Sequence, residues 1–416
     1  MKVIISSHFP FNITGYANQT LYMIDYLLKQ NIEIPALICW NCNFGINGIS
    51  YTLKHLLDTN SYNTGNISTE FLEKIHNINI YGSLENNFPC QVKSTEMINN
   101  IVKKEECDLV IFHQDMFVFS TMEGQFNFPS IIFCPIHYTP MESNTNASLR
   151  HFDVLLGMSD FGYNILKNAY SNKYIEKLPL SVNINIFNKG SKDKNYYKEL
   201  LGFDKSNFVC LIIGSNTETS NRKAFKQNIN AFIKLYKKKK NCRLYLHTDV
   251  NGTINLLKIL KKEKINKSIY KYCDNKIRDS NSFSTLDIAN IYRGCDVLLN
   301  ASKSEGFGIP ILEAQACGCS VVTTDFSNMP EITCNGITTK YALKEYWKKG
   351  EDAYWVVPSE NNIYNALNEI YNWTDEYREK LKEDGIEFAK TYSNENIGEK
   401  LVHLCKKIYN KEIILN

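Results

Sequence analysis

Glu305 and Glu313 stand eight residues apart in Ser302-Lys303-Ser304-Glu305-Gly306-Phe307-Gly308-Ile309-Pro310-Ile311-Leu312-Glu313-Ala314-Gln315-Ala316-Cys317-Gly318, directly after the strand-like run Asp296–Asn300. Gly306 and Gly308 permit a tight turn and close approach of a ligand to the backbone. Pro310 suits the first position of a helix, and Gly318 suits its stop. Glu305 is therefore expected in a loop above a sheet, and Glu313 about one turn into a helix. The start of a helix presents unpaired N–H groups and a partial positive charge, which favour a diphosphate. Carboxylates repel phosphate but accept well from vicinal hydroxyls, such as those of a ribose and a hexose on either side of a diphosphate. Taken singly, Glu313 is equally explained as a favourable charge in a first helical turn, and Glu305 as a surface loop residue. The joint pattern of strand, glycine turn and helix start is what points to a ligand.

Other residues stand in comparable places. Arg222 and Lys223 follow the apolar run Phe208–Ile213 and the turn-like Gly214-Ser215-Asn216. Adjacent cations there read either as a solvated helix start or as a second grip on phosphate. Gly15 follows the first apolar run, Lys2–Ser6, as a plain turn or a point of backbone approach. Of the eight histidines, His137 follows the run Ser130–Pro135 and His113 ends Asp108–His113, with Asp115 just beyond. Strand ends line the crevice of doubly wound sheets, although a packed histidine explains each equally well.

The elements that must hold these residues alternate. Apolar runs at Lys2–Ser6, Ile34–Trp40, Asp108–His113, Ser130–Pro135 and Val154–Met158 are interleaved with helical patterns at Gln19–Lys29, Met97–Lys104 and Phe161–Ala169. This predicts a parallel sheet covered by helices. Residues Asn185 to Phe203 are polar and weakly periodic and read as a break. The pattern then restarts: strand Phe208–Ile213, helix Lys226–Tyr236, strand Arg243–His247, helix Thr253–Lys262, strand Ile269–Cys273, helix Leu286–Arg293, strand Asp296–Asn300, helix Ile311–Ala316 and strand Ser320–Thr323. Two tandem α/β domains are expected, 1–183 and 184–392, with a final helix at about 393–416 returning to the first. The segment Asn43–Gly82 reads only as an insertion or mixed loop.

Composition excludes several classes. The 416 residues carry 47 basic and 44 acidic side chains, a net +3, without the basic stripe of a nucleic-acid binder. The run Lys237–Lys240 reads as a solvated helix end. Thirteen dispersed cysteines suggest reduced, buried thiols in a cytoplasmic protein; Cys39 and Cys42 form a lone C-x-x-C. No apolar run has the length needed to cross a bilayer, and peripheral membrane contact stays open.

The run from Glu305 to Glu313 resembles the E-x7-E motif of retaining GT-B glycosyltransferases, in particular family 4. Ile291-Tyr292…Cys295-Asp296-Val297 and Gly318–Thr324 with Pro330-Glu331-Ile332 resemble its flanks. The resemblance spans most of the chain, is strongest over Phe208–Ile332 and weakest over Asn43–Lys104. It implies a GT-B architecture, two doubly wound, Rossmann-like parallel-sheet domains facing across a cleft. It also implies transfer of a hexosyl-type group, with retention, from a UDP- or GDP-linked sugar to a hydroxyl of a glycan, lipid or protein. In the family the first Glu contacts the donor sugar and the second the ribose, roles that pass to Glu305 and Glu313; the N–H groups of Phe307, Gly308 and Ile309 beside Gly306 would touch sugar and phosphates. Lys223 matches the family's diphosphate-binding Lys, whereas the family's Arg position holds Asn216, with Arg222 beside the Lys instead. Gly15 matches a loop whose backbone approaches the donor phosphate, and His137 a histidine on the acceptor side, with His113 and Asp115 as further acceptor-side candidates. Cys273, Asp274 and Ser284 fall where the nucleotide base is held. Pro179–Phe187 resembles the interdomain linker, with closure over the donor hinged near Val182–Phe187. No D-x-D motif is present, so metal-independent catalysis without a cofactor is expected, with Glu305, His137 and Lys223 as the catalytic set. A nucleotide-sugar epimerase, a sugar phosphorylase or an inactive sugar-binding protein remain alternatives on the same fold.

Overall fold

The computed structural model describes residues 1–12, 14–40, 50–59, 67–82, 94–141, 143–273, 283–346 and 353–415. Cys42 and Asp274 lie outside them. The chain divides into two compact units, Met1–Ser181 with Asn394–Asn416 and Val182–Tyr346 with Tyr354–Ser393.

The first unit is built on β1 (Val3–His8), β2 (Ala36–Trp40), β3 (Ser50–Thr52), β4 (Asn79–Tyr81), β5 (Leu109–His113), β6 (Ser130–Cys134), β7 (Val154–Gly157) and β8 (Tyr174–Lys177). They lie in the order β3-β4-β2-β1-β5-β6-β7-β8, parallel except for β3 against β4. Every residue of β5, β6 and β7 is buried, as a parallel sheet covered on both faces requires. The ambiguous stretch before residue 82 contributes β3, β4 and the short helices Leu53–Thr59 and Thr69–Ile75. Helix Gly15–Lys29 starts four residues earlier than the apolar periodicity suggests. Thr14 Oγ1 accepts from the Ala17 N–H and caps it there, so Gly15 opens a helix rather than lying in a loop.

The second unit carries β9 (Phe208–Ile213), β10 (Cys242–His247), β11 (Tyr270–Tyr272), β12 (Val297–Asn300), β13 (Ser320–Thr324) and β14 (Ile337–Thr339), all parallel, in the order β11-β10-β9-β12-β13-β14. A hairpin of β15 (Tyr341–Tyr346) and β16 (Tyr354–Pro358) follows. Strand order reverses between β9 and β12. The loops leaving their C-terminal ends are therefore neighbours, the place where doubly wound sheets hold ligands.

One sequence reading needs correction in this unit. The polar break at 185–203 contains helix Lys194–Leu200, capped by Asp193. Its buried stripe is short because Lys198 is a core residue here, its Nζ donating to Asn207 O and paired with Asp296. Helix Phe225–Lys238 ends in the basic run, as its charge suggested, and three of its ammonium groups lie over rings: Lys238 on Tyr364, Lys239 on Tyr371 and Lys240 on Tyr236, at 4.7–5.0 Å. No helix among the described residues is long and apolar enough to cross a membrane.

Candidate active site

The loop after β12 is shaped by one glycine. Gly308 holds φ +95° and is the N-cap of helix Ile309–Ala316. A Cβ there would also come within 3.1 Å of Ile311 Cδ1 and 3.2 Å of Ile332 Cδ1. Gly306 does not adopt the left-handed region, so the positive-φ position of the turn is Gly308. Pro310 sits in the first turn, where its missing N–H costs nothing. Glu313 lies one turn further in, beyond the first turn proper.

Glu305 is buried, and its carboxylate is held on both oxygens. Oε1 accepts from Lys223 Nζ and from Ser302 Oγ, each at 2.7 Å. Oε2 accepts from Arg222 Nη1 at 2.9 Å. Its backbone N–H donates to Ser327 Oγ at 3.0 Å, from a serine held at φ +53°. A carboxylate offers about four lone-pair positions; described residues occupy three, and the fourth is on Oε2. Burial would push the Glu305 carboxyl up, but Lys223 and Arg222 together hold it down at about 2.

Glu313 has the opposite environment. Tyr292, fully buried, donates to its Oε2 at 3.0 Å, and no cation among the described residues pairs with it. Loss of hydration pushes its carboxyl up to about 7, against the pull of the Tyr292 O–H. Two glutamates eight residues apart thus differ sharply in acidity.

Loops and strands are fastened by an asparagine that the sequence reading did not single out. Asn228, fully buried, donates to the carbonyls of Lys223, Ala224 and Ala301 and accepts from the Ala301 N–H. It ties the Lys223 segment to the end of β12. Asn228→Leu keeps the volume but strands several buried backbone groups, at about 1–3 kcal/mol each. A drop of about 3 kcal/mol in unfolding free energy is expected, read from the urea midpoint.

The Asn216 amide is engaged on both ends. Its Nδ2 donates to Asp249 O and Ile254 O, and its Oδ1 accepts from the Ile254 N–H, so the amide braces the loop after β10. Cys273 is buried, its Sγ near Thr248 O. Ser284 caps helix Thr285–Gly294 in a reciprocal box with Asp287, which occupies its hydroxyl. Around Glu305, Asn300 Nδ2, Ser304 Oγ and Asn328 Oδ1 are buried without a hydrogen-bond partner among the described residues.

The first unit has its own cluster at its own reversal point, between β1 and β5. Tyr16 O–H donates to Asp115 Oδ1 at 2.8 Å. Its ring lies 4.8 Å from those of His8 and His113. His113 is buried with neither ring nitrogen hydrogen-bonded among the described residues, and burial, with His8 adding to it, pushes its pKa down to about 3. Gln114 beside it is buried with its amide unpartnered among the described residues. His137 contacts Pro135 O through Nδ1 at 2.8 Å and the Tyr138 ring.

With this geometry in hand, comparison with known proteins is informative. Residues 207–372 match the family model for glycosyl transferases group 1. That match falls in the second unit. Both Glu305 and Glu313, with Arg222, Lys223 and Asn228, fall inside that group 1 match. An uncharacterized glycosyltransferase of Methanocaldococcus jannaschii is 25% identical over 252 residues, 59% of this chain and 65% of the relative. The D-inositol 3-phosphate glycosyltransferase of Mycobacterium tuberculosis is 40% identical over 55 residues, 13% of this chain and 12% of its own. The matched segments thus span less than two thirds of these relatives' lengths. Among solved structures, sucrose-phosphate synthase from Thermosynechococcus elongatus superposes with TM-score 0.69 at 13% identity, covering 99% of this chain and 100% of that one. Anabaena HepE, solved with UDP and glucose, gives 0.68 at 14% identity, covering 98% and 100%. The fold is GT-B, with the residues that match the group 1 model in its second Rossmann-like unit.

Proposed function

We propose that the protein is a glycosyltransferase that moves a hexosyl-type group from a nucleoside-diphosphate sugar to an acceptor hydroxyl, with retention at the anomeric carbon. The observation that carries this reading is the pair of acids around one helix start: Glu305 held ionised by Lys223 and Arg222, Glu313 poorly hydrated beside Tyr292. The start of helix Ile309–Ala316 and the Lys223 ammonium receive the diphosphate. Glu305 accepts from a sugar hydroxyl and Glu313 from the ribose. As the bond to the anomeric carbon breaks, negative charge grows on the leaving phosphate and an oxocarbenium-like sugar forms. Lys223 and the helix start oppose that charge without reorganising, and we hold that no divalent cation is required. The acceptor is a glycan, lipid or protein hydroxyl, with His137, His113 and Asp115 as acceptor-side groups and the Gly15 backbone near the donor phosphate.

A thermal-shift screen with UDP, GDP, ADP and their sugar conjugates tests the reading. A nucleotide at a hundred times its dissociation constant stabilises by about 2.7 kcal/mol, and release of nucleoside diphosphate should depend on an alcohol acceptor. Epimerisation of the free nucleotide sugar, or binding with no transfer to any acceptor, would overturn it.

Glu313 adds a pH signature. Its ionised form is the better acceptor for ribose hydroxyls, so nucleotide affinity should climb as pH rises through about 7. Between pH 6 and 8 the gain approaches tenfold, following the ionised fraction. Stability runs the other way: a carboxyl raised above its unfolded value stabilises fully below that value, and loses the contribution as pH rises through about 7. Calorimetric titration with UDP at pH 6, 7 and 8 checks this, and Glu313→Gln should flatten the dependence. An equally steep profile in Glu313→Gln would place the titrating group elsewhere.

A further inference from the structure

We infer that Arg222 is a positioning residue that fixes the Glu305 carboxylate, with Glu218 anchoring it from the other side, and that it leaves the diphosphate to Lys223 and the helix start. This rests on the proposed function and assigns parts within that site.

The hydrogen bonds of the guanidinium are the first argument. Nε donates to both Glu218 oxygens, at 3.1 and 3.3 Å, and Nη2 to Glu218 Oε1 at 2.9 Å. Nη1 donates to Ser304 O at 3.1 Å and to Glu305 Oε2 at 2.9 Å. Of five N–H groups, only one on Nη2 has no assigned partner among the described residues. The backbone is fastened as well: Lys303 N–H donates to Arg222 O at 2.7 Å. Turning toward a phosphate would break a two-pronged carboxylate pair, among the stronger side-chain contacts, and would strip Glu305 Oε2 of its donor.

Lys223 offers the contrast. Its ammonium has three N–H groups and, among the described residues, one assigned partner, Glu305 Oε1. It reaches phosphate without leaving that carboxylate. Charge argues the same way. Arg222 lies between two carboxylates, Glu218 and Glu305, so its surroundings repel an added anion. What Arg222 controls is the one acceptor position left on Glu305, because that position shares Oε2 with the Nη1 hydrogen bond. Glu218 in turn fixes the plane of the guanidinium, a task that needs a planar fork and that a lysine cannot perform.

The test separates nucleotide from sugar. Wild type, Arg222→Gln, Arg222→Lys and Glu218→Gln are titrated calorimetrically with UDP, GDP and ADP, and cleavage of UDP-glucose, GDP-mannose and ADP-glucose is followed in parallel. Nucleoside-diphosphate affinity should stay within about twofold of wild type in all three variants, while cleavage of the matching sugar conjugate falls about tenfold or more. Arg222→Lys should not restore it. Loss of nucleoside-diphosphate affinity in Arg222→Gln in step with cleavage would make Arg222 a phosphate ligand and overturn the inference. So would tighter binding in Glu218→Gln, which would expose a masked ligand, or full rescue by Arg222→Lys. If the Arg222 variants fail to fold, Glu218→Gln decides alone, since that side chain is 39% exposed. Wild type binding none of the six compounds removes the proposed function, and this assignment with it, whereas loss confined to the variants bears on the assignment only.

Discussion

Glu305→Ala is expected to destabilise the second unit by about 3–5 kcal/mol and to abolish measurable transfer. The substitution leaves Lys223 and Arg222 facing each other without their shared counter-charge, and breaking a buried pair from one side has a cost of that order. Against a total of about 5–15 kcal/mol for a domain, the urea midpoint should move visibly. Glu305→Gln keeps the shape and loses the charge, so it separates chemistry from folding. It should stay folded near neutral pH yet cleave a nucleotide sugar about 10²–10³-fold more slowly, the scale seen when one group opposing transition-state charge is removed. Acid adds an independent check. The Glu305 carboxyl lies near 2 in the folded chain, below its unfolded value. A depressed carboxyl contributes stability above the unfolded value and loses it as pH falls through the folded one. About 3 kcal/mol should therefore disappear between roughly pH 5 and 2 in wild type, and that part of the slope should be missing in Glu305→Gln. An identical acid profile in the two proteins would mean that Lys223 and Arg222 do not hold the charge.

Lys223→Met carries the second large effect, and it should fall on rate rather than on folding. Glu305 keeps Arg222 and Ser302 when the ammonium is removed, so no buried acid is abandoned. Nucleotide affinity should fall by about 1.5–3 kcal/mol, the worth of a charged hydrogen bond. The cleavage step should fall further, about 10²–10³-fold, because charge on the leaving phosphate is greatest in the transition state. Calorimetry with UDP and single-turnover cleavage of UDP-glucose measure the two separately. Equal losses in both would show that Lys223 binds donor and transition state alike, and would move the rate-enhancing role to the helix start.

Much of this site was legible in the residues. The strand Val297–Asn300, the turn glycine and Pro310 place Glu305 and Glu313 because each acts on its own few neighbours. Lys223 was singled out by the family resemblance, since adjacent cations just past a strand-type run read equally as a solvated helix start. What could not be read depends on which strands are adjacent. Arg222 meets Glu305 because β9 pairs with β12, and nothing near residue 222 signals the partner 83 positions on. The same gap hid the partners of Asn216, whose amide goes to a loop 33–38 residues away. Tyr292 reads as an ordinary core position of its helix, and only the fold puts its hydroxyl on Glu313. Asn228 reads as polar filler in a helix until its three carbonyl partners are known. Helix Lys194–Leu200 escaped because one of its two buried side chains, Lys198, is charged.

The single acceptor position left on Glu305 sets a limit on sugar discrimination. A carboxylate that admits one more donor reads the configuration at one ring carbon. An epimer inverted there would lose the contact and leave an acid buried beside an unmatched ring face, whereas inversion at any other carbon would pass unnoticed by this residue. Under the proposed function, stereochemical selectivity is thus shared among several weak readers, and broadening the donor range by mutation should begin at those, leaving Glu305 alone.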